Sequence, residues 1–304
     1  MKQTASLYRT FLRSMALAVM LLHSLLQAPG ALADTSVWEV SRGDARLYLG
    51  GTIHALRPSD YPLPEEFEYA YAVADEIYFE VDLKAALDPA FQATALQSYS
   101  YNDGRSLYSV LSEEVYIDFY TLAGSFGIPA GALDNLKPSP ATTTVLFLEL
   151  GNIGFGPQGV EMHFLQQAER DALSQGSLES LEFQTSLLAN LGEGNEDAMV
   201  ADFLEQIGTL EDYMNEAVSA WREGDIGRID EYLLTDMAEE FPEDFEAMFT
   251  RRNRNWLPQI MAMLDDADIE FVLVGVGHMP REDGLLELLR REGATVRLLD
   301  LQER

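Results

Sequence analysis

Two histidines close matching segments near opposite ends of the chain. Gly51-Thr52-Ile53-His54 follows the β-rich stretch Arg46–Gly50, and Gly275-Val276-Gly277-His278 follows the apolar run Ile269–Val274. Each is Gly-x-x-His at the carboxyl end of an expected strand, where open α/β sheets carry their ligands. Neutral imidazole is the commonest transition-metal ligand, and two of them with a carboxylate bind a divalent ion while leaving positions open for water. Glu80, in a strand expected over Glu76–Leu83, is the natural third ligand or base, and Asp82 shares its face by the period of two.

Each of these residues has a plainer reading. A histidine after a strand also caps a turn and contacts water, and that alternative stays open for the pair. His163, the remaining histidine beyond the first 33 residues, lies on an amphipathic helix over Gly159–Leu173. Glu161 sits two positions earlier, off its face, so His163 reads as a residue on the surface or one standing behind the ligands. Glu182 ends an apolar stretch before a helix, the usual place of an N-terminal carboxylate. Arg252 and Asn253 fall in a basic island, TRRNRNWLPQI, within an acidic chain. They read either as surface charge or as a clamp for an oxyanion or substrate carboxylate.

The elements that must position these groups alternate between strand and helix. Val37–Val40 and Arg46–Leu49 form a hairpin about Ser41–Asp44. A helix after Pro64 and the Glu76–Leu83 strand complete the first unit. Ile269–Val274, a helix over LLELLRREG and a strand over Thr295–Leu301 form the second. The expected fold class is α/β: a central β-sheet built from two similar strand–GxxH–helix–strand halves, with a mostly helical insertion over about 105–265. A twofold arrangement of the halves would bring His54 and His278 together. Within the insertion, helices are expected over Leu107–Ala123, from Pro138 to Leu150, and through three segments from Glu196 to Leu264. A glycine-rich loop, GNIGFGPQG, follows the second of these, and Ser177–Glu182 is a short strand candidate.

Composition narrows the function classes. A net charge of −31 disfavours nucleic acid and anionic membrane as partners. With no cysteine, any metal site must use histidine and carboxylate. Lys2, Arg9 and Arg13, an apolar Met15–Leu26 and Ala31-Leu32-Ala33 have the form of a signal peptide. Residues 1–33 are therefore expected to be removed after Ala33, leaving 34–304 as one exported domain, periplasmic or secreted, with no stable membrane insertion. Gly275-x-Gly277 lacks the third glycine of a dinucleotide fingerprint, since position 280 is proline. G-x-S-x-G, HExxH and Walker A motifs are absent from the sequence.

GGTIH, EIYFEVDL and VGVGHMPREDGLLELLRREGATVRLL together resemble the TraB/GumN family, which is related to the Tiki-type metalloproteases. LKP at Leu136–Pro138, GVEMHFLQQA at Gly159–Ala168, SLE at Leu181-Glu182 and RNRNW at Arg252–Trp256 follow in the family's order. Two departures stand out. Glu161 replaces the usual aspartate, and FQTSLL after Glu182 lacks the acidic–Gln continuation. The resemblance implies a metal-dependent hydrolase, peptidase-like, with His54, His278 and Glu80 on Mn²⁺, Co²⁺ or Zn²⁺ and a peptide or protein substrate. It further implies Arg252 and Asn253 in the site, Arg252 on the developing oxyanion, and Glu80 or Glu182 moving the proton. The alternative is a non-catalytic exported binding protein using the same cleft for haem, a metal or a peptide.

Overall fold

A computed structural model describes residues 35–303; the expected signal peptide lies outside the described residues. One six-stranded sheet organises the domain. β1 (Val37–Arg42) and β2 (Ala45–Thr52) form the expected hairpin, turned at Gly43. β3 (Glu76–Phe79), β4 (Ser174–Ser177), β5 (Glu270–Gly275) and β6 (Thr295–Leu298) complete the order β4-β3-β5-β2-β1-β6. The pairs β4–β3, β3–β5 and β5–β2 are parallel, while β1 runs antiparallel to both β2 and β6. The α/β class thus holds. The two strand–helix–strand units interleave, since β5 lies between β2 and β3, and β2 and β1 lie between β5 and β6.

β5 is central because Phe271–Val274 is apolar on both faces, as a covered parallel strand must be. Phe67, on the helix Glu65–Val73, and Phe164, on the helix Val160–Asp171, pack against Phe271 with ring centroids 6.3 and 5.5 Å away. Trp221 packs on Phe67 at 5.6 Å, and its Nε1–H donates to Gly51 O at 2.7 Å. Each fully buried aromatic of this kind contributes roughly 1.5–3 kcal/mol. Together they fix the β2–β5 edge from which both histidines emerge. A separate small core, including Leu107, Phe119, Val145 and Val200, holds part of the helical insertion.

Three sequence expectations shift. The strand expected over Glu76–Leu83 stops at Phe79, because Asp82 caps the short helix Leu83–Ala86 by accepting from Ala85 N. Asp82 therefore does not share a strand face with Glu80. The strand expected over Ser177–Glu182 lies earlier, at Ser174–Ser177, and Ser180 caps a helix over Leu181–Asn190. The Leu107–Ala123 helix is two helices, because Ser112 caps the second by accepting from Val115 N. Among the described residues no helix is long and apolar enough to cross a membrane.

Candidate active site

Four neighbouring parallel strands, β4, β3, β5 and β2, lead at their carboxyl ends into Glu179, Glu80, His278 and His54 in turn. Pairing continues past β3 and β4, since Leu178 N donates to Phe79 O and Glu179 N to Glu80 O. The two glutamates thus stand side by side. At β5 the chain turns at Gly275, and the space above its Cα is the centre of the arrangement. A Cβ built there would lie 3.4 Å from Glu80 Oε1 and 3.8 Å from both His278 Cδ2 and His54 Nε2. Gly275 leaves that hollow free, and its own N–H donates to Glu80 Oε1 at 2.7 Å.

Both rings are anchored through Nδ1. His54 Nδ1 lies 2.7 Å from Glu161 Oε1, and Glu161 also accepts from Thr52 Oγ1. His278 Nδ1 lies 2.6 Å from Asn253 Oδ1. The Asn253 amide is oriented by donating to Asp283 O at 2.9 Å and His278 O at 3.4 Å, so its oxygen must accept from the ring. Fixing one nitrogen aims the other. The two environments differ sharply: the His54 side chain is 69% exposed and that of His278 only 3%.

Charge follows from those environments. Burial drives the His278 imidazole down to about 3 despite the pull of Glu80, so it is neutral. Burial pushes the Glu80 carboxyl up, but Arg252, then His278 and His54, with the Gly275 N–H, outweigh it and hold it at about 2. Glu161 raises the His54 imidazole above its ordinary value.

Arg252 enters on the helix Arg251–Met263, behind a π-helical turn over Glu246–Thr250. Its guanidinium is fully used. Nε donates to Glu179, Nη1 to Met248 O and His278 Nε2, and Nη2 to Glu80 and Glu179. These contacts account for all five N–H donors of an arginine. Trp256 closes the wall, its Nε1–H donating to Glu179 Oε2 at 3.1 Å and its ring 4.5 Å from that of His278. To serve the oxyanion role expected for it, Arg252 would have to release one of these contacts.

The structure thus brings His54, Glu80, Arg252, Asn253 and His278 together. It does not bring in Glu182, which is exposed in the first turn of the Leu181–Asn190 helix. Glu179, absent from the sequence expectations, takes the place beside Arg252. Ser-Leu-Glu occurs twice in succession, at 177–179 and 180–182, and the first copy ends the strand. Gln184, in the helix that follows, donates from Nε2 to Glu80 Oε2 at 3.1 Å and Glu179 Oε1 at 3.3 Å. Glu161, noted in the sequence only as a replacement for the usual aspartate, holds His54, whereas His163 turns away to Glu68 at 3.0 Å.

Among the described residues no three histidine, aspartate or glutamate side chains already enclose a metal position. The donors fit a divalent metal in kind. They are two Nδ1-anchored imidazoles and an ionised carboxylate, bordering a hollow that a Cβ would fill. With both carboxylates ionised, Glu80, Glu179 and Arg252 carry one net negative charge beside neutral His278, which also favours a cation. Arg252 Nη1, on the His278 Nε2 lone pair at 3.1 Å, is the group such an ion would have to displace.

Fold and site define an α/β protein with a histidine–carboxylate centre at the carboxyl edge of a parallel sheet. The chain belongs to the TraB/PrgY/gumN family, whose model matches residues 36–298. No curated protein and no solved structure matches it significantly.

Proposed function

We propose that the chain is an exported, divalent-metal-dependent hydrolase acting on peptide or amide bonds. The observation that carries this reading is the approach of His54 Nε2, Glu80 Oε1 and the His278 ring to one hollow over Gly275. His54, His278 and Glu80 would hold Mn²⁺, Co²⁺ or Zn²⁺. Bound there, the ion supplies Lewis-acid activation of a water and of the scissile carbonyl. Glu161 and Asn253 orient the two rings by accepting at Nδ1. Arg252 positions Glu80 and His278 and keeps Glu80 ionised. A carboxylate held at about 2 is a poor base, so ligation is the role assigned to Glu80.

One observation favours a second reading, ligand capture without turnover: until an ion displaces Arg252 Nη1 from His278, every Arg252 N–H is engaged and none is free for an oxyanion. The deciding experiment is the metal content of chelator-free protein beside His54→Ala and His278→Ala. Roughly one metal per chain, lost in both variants, is the expected result. A wild type that takes up no Mn²⁺, Co²⁺ or Zn²⁺ even on reloading would sink the metal-dependent reading.

A further inference from the structure

The glycine-rich loop after the helix Pro138–Asn152 has no part in the centre described above, yet it is bound to the His54 segment through backbone. Gly156 N donates to Leu56 O at 3.0 Å and Val160 N to Ile53 O at 3.1 Å. A Cβ on Gly159 would lie 2.3 Å from His54 O, so only glycine allows the loop this close. Beside that paired ribbon, against the last turns of the Pro138–Asn152 helix, opens a pocket of about 510 Å³. Ala55, Phe147, Leu150 and Phe155 supply its walls, Gly151 sits among them, and no charged residue lines it. Leu150 and Phe155 are buried, while Phe147 is 54% exposed at the rim. An apolar recess on a chain with 51 acidic residues is a local exception.

We infer that this pocket receives one bulky apolar side chain, aromatic or branched aliphatic, of a peptide whose neighbouring backbone is presented to His54. Ala55 is in the wall and His54 is the residue before it, so a peptide seated with one side chain in the pocket runs along the His54 segment. Pockets of a few hundred Å³ with apolar walls are typical of ligand sites, and this one has space for a large side chain. Calling the peptide a substrate rests on the hydrolase reading; its binding does not.

The test uses an acetylated, amidated Gly/Ser peptide with one central Phe, against the same peptide with Ser there. Binding is measured by calorimetry on metal-free wild type, so no turnover is needed. The Phe peptide binds at least about tenfold tighter, the lower end of what one large apolar side chain contributes in a pocket. Gly151→Phe abolishes that preference. Gly151 is helical and an added Cβ meets nothing within 4 Å, so the new ring can enter the pocket without backbone strain. An unchanged thermal midpoint checks its fold, and Phe147→Ala, which removes the rim, weakens the preference severalfold.

Equal or undetectable binding of the two peptides by wild type overturns the inference, as does a Phe preference that survives in Gly151→Phe. Phe-dependent binding that Gly151→Phe abolishes, with no hydrolysis under Mn²⁺, Co²⁺ or Zn²⁺, keeps the pocket and removes the hydrolase reading. Hydrolysis of both peptides at equal kcat/KM does the reverse.

Discussion

Arg252 Nη1 lies 3.1 Å from Nε2 of His278, a cation donating to the lone pair that a metal would need. The contact requires a neutral ring with its proton on Nδ1, which is the tautomer Asn253 Oδ1 selects. The same guanidinium pairs with Glu80 and Glu179, so one arginine ties the ends of three adjacent strands. Without an ion, Arg252 offsets one of the two carboxylate charges; with one, it must surrender at least one contact.

Removing the group that sets the tautomer should weaken metal uptake without removing a ligand. Asn253→Ala frees the His278 ring to rotate and should lower affinity about 10–100-fold, read by competition with a chromophoric chelator. Wild-type affinity in this variant would show that Asn253 does not position the ligand.

The two Ser-Leu-Glu copies should respond differently to loss of charge. Glu179→Gln removes one of the two carboxylates paired with buried Arg252, leaving Glu80 to balance its charge, and is expected to cost about 1.5–3 kcal/mol in urea unfolding. Glu182→Gln, at an exposed position, should stay within about 0.5 kcal/mol. Equal effects would undo the assignment of Glu179 to the buried network.

Glu270 makes the fold sensitive to alkaline conditions. It is only 5% exposed, its Oε2 has no hydrogen-bond partner, and it stands opposite Glu76 in the β3–β5 register. Burial, then Asp266, Glu76 and Asp268, push its carboxyl up to about 7 against its own backbone N–H. Its folded value lies above the ordinary 4.5, so its protonated form favours the fold. That contribution is complete below about 4.5 and is lost as pH rises through 7. Glu270→Gln should therefore stabilise at pH 8 by roughly 1–2 kcal/mol relative to wild type once solvent screening is allowed for, with the gain shrinking toward acid pH. A thermal-midpoint difference that does not grow between pH 4.5 and 8 would show that Glu270 ionises freely in the fold.

Metal uptake, if the centre binds one, should release a proton from His54. Glu161 raises this imidazole, so below its folded value the ring is protonated and the ion must displace that proton. Affinity should accordingly rise with pH, and calorimetry in buffers of different ionisation enthalpy should count the proton. Glu161→Gln removes the raising charge and should shrink the release near neutral pH. An unchanged proton count would place the released proton elsewhere.

Much of the frame was legible in the sequence because it rests on local patterning. The continuous apolar run of β5 announced a strand covered on both faces, and the hairpin about Gly43 followed from strand-turn-strand alternation. Glu80 was visible as an acidic residue within the β-rich run Glu76–Leu83, although the strand proved shorter, ending at Phe79 before Asp82 caps a helix. Arg252 and Asn253 were not legible as site residues from composition alone. In sequence they are a basic island, and their burial follows only from the helix that carries them packing over His278.

The sequence by itself determined the α/β class, the two Gly-x-x-His ends and the family, since periodicity and motif spacing are properties of the chain. It could not choose between two consecutive Ser-Leu-Glu triplets. That choice was made by tertiary structure, where β4 pairs with β3 and sets Glu179 beside Glu80, while the next turn of helix carries Glu182 into solvent. Nor could it foresee that one guanidinium would use all five donors inside the protein. Hydrogen-bond saturation depends on which groups meet from strands and helices distant in the chain, and only the folded packing decides that.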